Sequence, residues 1–93
     1  MTEQEAENKI KSFIPSSIKQ TTIEVVKRES ISRLEHTSTF AIIFKHTKEN
    51  ALLMVDVAKK LALSEPKLKF DGSEVDEKFN IEHTAVFITA TIK

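Results

Sequence analysis

The chain has 93 residues, 40% hydrophobic and 30% charged, with no cysteine, which suits a single core built without disulfide or thiolate–metal support. Its 14 basic and 14 acidic residues cancel, whereas a protein that grips nucleic acid on its own usually carries a clear basic excess. The one glycine leaves no material for a phosphate-cradling loop, a dinucleotide fingerprint or a GxxG clamp on nucleic acid.

In chain order, Thr2 and Glu5 form an S/T-x-x-E capping box, and Glu3, Glu5 and Glu7 sit where a helix dipole favours negative charge. Ala6, Ile10, Phe13 and Ile14 follow at helical spacing, and Pro15 disfavours helical geometry at Ile14, so a helix is expected over 3–14. The acidic, polar start lacks the basic residues and apolar run of a secretory signal, and no apolar run reaches the length of a membrane span, so a cytoplasmic protein is expected. Residues 21–29 alternate as a strand, with Ile23 and Val25 on one side and Thr22, Glu24 and Val26 on the other. Residues 30–38 have no clean period and read as a wide hairpin loop that Ile31 and Leu34 could anchor. A second strand over 39–46 carries apolar residues on both faces (Phe40, Ile42 and Phe44 against Ala41 and Ile43) and is expected in the centre of a sheet.

Thr47 can cap a second helix over 48–64, with Pro66 just past its end. Ala51, Met54, Val55, Ala58, Leu61 and Ala62 make its expected core stripe, and Glu49, Asp56, Lys59 and Lys60 its wet face. Leu52 and Leu63 fall among those charges, either as scattered surface apolars or as anchors for a partner. Residues 67–70 read as a short strand, Asp71-Gly72 as a hairpin turn, 73–75 as its brief return, and 76–80 as a charged connection. A long last strand over 81–92 sets Val86, Ile88, Ala90 and Ile92 against His83, Ala85, Phe87, Thr89 and Thr91. With no helix after it, that strand could present an open edge. The whole, 1–93, is expected to be one two-layer α+β domain of order α-β-β-α-β-β, with an antiparallel sheet and helices on one face.

Chemistry-bearing groups are sparse. His36, His46 and His83 have no cysteine and no i,i+4 partner histidine, and the acidic set Glu74, Asp76, Glu77 and Glu82 lacks the frame of a calcium loop. The phenylalanines Phe13, Phe40, Phe44 and Phe87 sit at positions that read as core packing in preference to base stacking. No catalytic residue, cofactor or metal site is expected, and the chain does not read as an enzyme. A local basic excess lies between Lys9 and Arg33, with Lys19, Lys27, Arg28 and Arg33 as the candidate nucleic-acid patch, though solvated surface lysines explain it as well.

The run Ser38-Thr39-Phe40-Ala41-Ile42-Ile43-Phe44, a polar turn, a long Ala/Leu/Val helix and Leu61-Ala62-Leu63-Ser64-Glu65-Pro66 resembles the Pcc-type (CTAG/LAGE-like) small subunit of the KEOPS complex. The stretch from Glu82 to Ile92 resembles that family's final strand. The resemblance implies a non-catalytic, dimerising subunit of an assembly that makes threonylcarbamoyladenosine in tRNA, docking by its helices on the catalytic subunit and contacting tRNA indirectly. Carried over by position, Leu52, Asp56, Lys59, Lys60 and Leu63 would be the docking surface. The family closes with a helix after its last strand, and here the first helix would stand in its place. The expected function is therefore an interaction subunit with protein partners, as a homodimer or in a hetero-complex. The alternative is a free-standing RNA- or DNA-binding domain.

Overall fold

The computed structural model describes residues 1–18, 21–64, 68–75 and 83–93. Its elements are α1 (Glu3–Phe13), β1 (Thr22–Ser30), β2 (His36–Lys45), α2 (Lys48–Leu63), β3 (Lys69–Val75) and β4 (His83–Ile92). All strand pairs are antiparallel, in the spatial order β1-β2-β4-β3. The two-layer α+β domain read from the sequence is the fold observed, with both helices packed on one face of the sheet.

Alternation explains the layer. Ser38, Phe40, Ile42 and Phe44 of β2 and Val86, Ile88, Ala90 and Ile92 of β4 are buried on the helix-covered face, as a period of two demands. Register stacks Phe40 against Ile88 and Ile42 against Val86, with Val25 and Ile23 of β1 on their other side. Ala6 and Ile10 of α1 and Met54, Val57 and Leu61 of α2 complete one core cluster. The thinnest extent of the molecule, 18 Å, is that of one helix layer on one sheet.

The capping box of α1 and the Thr47 cap of α2 hold where the sequence placed them. Thr2 Oγ1 accepts from the Glu5 N–H at 3.1 Å while Glu5 Oε1 accepts from the Thr2 N–H at 3.2 Å. Thr47 Oγ1 accepts from the Asn50 N–H at 3.0 Å, and the Asn50 amide donates to the Lys45 carbonyl at 2.9 Å, tying α2 to the end of β2.

Five expectations need correction. The connection between β1 and β2 is shorter than 30–38, because β2 begins at His36 and pairs it with Ser30. Within the loop the Ile31 and Ser32 N–H groups both donate to the Glu35 carbonyl at 3.0 Å, so backbone bonding holds the turn. Ile31 and Leu34 are exposed and anchor nothing. Asp71-Gly72 is not a hairpin turn: β3 runs straight through it along β4, with a register irregularity between Phe70 and Gly72. A lone glycine inside a strand marks a bulge as readily as a turn. The last strand is no edge, since β4 lies between β2 and β3. Phe87 is not in the core: its strand position opposite Ala41 puts it half-buried on the face without helices.

The fifth correction concerns α2. Its buried stripe is Met54, Val57, Ala58 and Leu61, while Val55 and Ala62 are exposed. Val57 joins the same core cluster as Ala6 and Ile10 of α1, and α1 and α2 contact each other over the sheet. The expected connection over 76–80 and the start of the last strand at 81–82 lie outside the described residues.

Candidate protein-interaction surface

The outer surface of α2 follows from its sequence and its cap. With Thr47 fixing the first turn and Met54, Val57 and Leu61 turned to the core, a rotation of about 100° per residue carries Leu52, Lys59 and Leu63 to the opposite side. Leu52 is 64% exposed, Val55 53% and Leu63 82%. Asp56, Lys59 and Lys60 are exposed among them, and Asp56 pairs with Lys60 at 2.9 Å across one helical turn. Lys59 makes no ion pair among the described residues. All five residues proposed from the sequence for partner binding thus share one exposed helix side.

Val55 belongs to that side as well, and sequence reasoning assigned it to the core. The available signal was its i,i+3 spacing from Leu52 and i,i+4 spacing to Lys59. Beneath Val55 the surface dips into an apolar groove of about 380 Å³ between α2 and the sheet, lined by Phe44, Ala51, Met54, Ala58, Ala62 and Val86 among others. Its small alanines leave room there that larger side chains would fill. The apolar outer stripe and the groove are therefore continuous through Val55.

The basic residues proposed for nucleic acid are not brought together. Lys27 sits opposite Thr39 and Arg28 opposite Ser38, so successive β1 residues point to opposite faces of the sheet. Lys27 pairs with Glu29 at 2.7 Å. Arg28 is held by Glu3 in a two-pronged contact, Nε to Oε2 at 2.7 Å and Nη2 to Oε1 at 2.8 Å. Arg33 stands on the exposed β1–β2 loop, and Lys19 lies outside the described residues.

Glu3 is the most perturbed titratable group described. Hydrogen bonds from Arg28 and from the buried Ser38 hydroxyl, at 2.7 Å, lower its pKa from 4.5 to about 2. His36 Nε2 lies 3.9 Å from the same carboxylate. Glu3 also raises the Arg28 pKa above its ordinary value. The cluster fastens the start of α1 to β1 and β2.

The sheet face without helices carries Ile43 and Phe87, half-buried, over the buried Ala41 and Ala85, with Thr39 and Thr89 hydroxyls 2.9 Å apart. The edge strand β1 is guarded by a bulge at Val26 and by Lys27, Arg28 and Glu29, features that discourage strand addition. His46 Nδ1 is hydrogen-bonded to the Thr84 hydroxyl. No three potential metal ligands converge among the described residues. No helix among them is long and apolar enough to cross a membrane.

Compared with protein-family models, curated proteins and solved structures, the chain matches none.

Proposed function

We propose that this protein is a non-catalytic, cytoplasmic interaction subunit that binds another protein through the outer face of α2, as a homodimer or within a hetero-complex. One observation carries the proposal: Leu52, Val55 and Leu63 are three large apolar side chains exposed on one side of a single helix, continuous with an apolar groove. Asp56, Lys59 and Lys60 interleave them and would supply register and selectivity. The assembly that the sequence resemblance implies is a KEOPS-type complex acting in tRNA threonylcarbamoyladenosine modification. In that setting α2 docks on the catalytic subunit, and α1, packed beside α2, takes the place of the family's closing helix.

The free-standing nucleic-acid reading has less support, because Lys27 and Arg28 face opposite ways and both are engaged by carboxylates. It calls for weak binding of RNA by the isolated chain that falls steeply as salt rises. Binding that survives physiological salt, measured by fluorescence anisotropy, would bring it to the front.

The interaction reading is tested with the tagged chain in its own cells. Lys59→Glu combined with Leu63→Glu abolishes recovery of the wild-type partner while the circular dichroism spectrum stays unchanged. A partner recovered equally by both forms removes α2 from the interface.

A further inference from the structure

The outer stripe of α2 is its own complement when reversed. Leu52, Asp56, Lys59 and Leu63 follow one another at spacings of four, three and four residues, the seam spacing of packed helices. Read from the other end, the order is leucine, lysine, aspartate, leucine at the same spacings. We infer that α2 pairs with α2 of a second copy of this chain, antiparallel, about a twofold axis level with the midpoint between Val57 and Ala58. This deepens the reading of α2 as a docking face and rests on it.

About that axis Leu52 of one copy meets Leu63 of the other, and Leu63 meets Leu52. Asp56 meets Lys59, and Lys59 meets Asp56. The two leucine contacts lie about 16 Å apart along the helix, at 1.5 Å per residue, and the two charge contacts sit between them. Lys59, without an ion partner among the described residues, gains one. Asp56, bound to Lys60 at 2.9 Å, keeps that partner and adds a second. Val55 falls on the same flank as Ala62 of the second copy, where a small side chain leaves space for it. Reversal also sets the two helix dipoles head to tail, which favours the antiparallel pair. A twofold contact of this kind is self-complementary, so assembly closes at two copies.

Other pairings fit less well. A parallel pair would set Lys59 beside Lys59 and Asp56 beside Asp56. Among the described residues the helix-free sheet face offers no matching pattern of charge, and the β1 edge is guarded by its bulge and charges.

The test measures the mass of the purified full chain by sedimentation across a wide concentration range. The wild type should reach twice the 10.6 kDa chain mass, and Leu63→Glu should remain at the chain mass. Asp56→Lys and Lys59→Asp should each weaken self-association by about tenfold or more, since each places like charges together on both sides of the axis. Mixing those two variants should restore a dimer containing one of each, as should joining both changes in one chain. Restoration also shows that each variant is folded. A wild type that stays at the chain mass throughout overturns the inference. The wider reading of α2 then stands or falls separately, on whether Leu63→Glu still abolishes capture of a different protein. A dimer that persists in Leu63→Glu overturns it by placing the interface elsewhere. Variants that weaken assembly singly but not complement each other when mixed overturn the antiparallel register.

Discussion

α1 and α2 cover the same sheet and meet the same solvent, yet their outer sides differ in kind. α1 turns Gln4, Glu5, Asn8, Lys11 and Ser12 outward, and links them along the helix, as in Gln4 to Asn8 at 3.0 Å. α2 turns out Leu52, Val55 and Leu63. One apolar stripe is all that a helix needs to pack on a sheet. α1 has one. α2 has two, and the second does nothing for the fold of the single chain. Surface composition that exceeds what packing requires is where function is most economically read, because folding alone would have accepted polar residues there.

The comparison is sharpest where packing is common to both helices. Ile42 is fully buried in the middle of β2 and Leu61 on the sheet side of α2. Ile42→Ala or Leu61→Ala should each cost about 2–5 kcal/mol, the lost transfer energy plus the cavity left behind. A urea midpoint unmoved by either would remove the distinction between the inner and outer sides of α2.

A smaller effect is expected at the root of α1. Glu3 accepts from Arg28 and Ser38, and Ser38 is the one buried polar side chain among the described residues. Glu3→Gln should cost on the order of 1 kcal/mol, less than a buried pair would, because the Glu3 side chain is 30% exposed and solvent screens the contact. The acid limb gives the sign. The folded-state pKa of Glu3 lies below its ordinary value, so its contribution is fully present above pH 4.5 and is lost as pH falls toward about 2. The difference in melting temperature between wild type and Glu3→Gln should therefore be constant above that window and shrink through it. A constant gap down to the lowest pH would show that the Glu3 carboxylate is not the group that fastens α1.

The sequence carried the element order and both helix caps, because capping residues, the Pro15 stop and alternation are local signals that tertiary contacts reinforce. What it hid was relational. Asp71-Gly72 looks the same in a turn and in a bulge, and only pairing with β4 along its whole length decides. Spatial order made β4 central although it is the last strand described, since β3 pairs along its other side. The stripe of α2 was misplaced toward Val55 because its orientation depends on the whole core, in which Val57 joins the cluster that holds Ala6 and Ile10 of α1. The candidate site was half legible: Leu52, Asp56, Lys59, Lys60 and Leu63 stood out as apolar residues among charges, whereas the opposed directions of Lys27 and Arg28 could not be weighed until Glu3 was seen to take Arg28.

The smallest expected effect bears most directly on the contrast between the helices. Leu52→Ser and Leu63→Ser together remove two large apolar side chains, yet both are mostly exposed, so the stability of the single chain should change by no more than about 0.5 kcal/mol. The measurement must be made at low protein concentration, since any self-association adds stability by mass action. At high concentration the wild type should then melt above the double variant, and the two curves should converge on dilution. α1 provides the control: exchanging its exposed Gln4 and Asn8 for serine should leave no concentration-dependent gap at all. A loss of stability at every dilution in the leucine variant would mean that Leu52 and Leu63 pack within one chain. The outer sides of α1 and α2 would then differ in sequence but not in role.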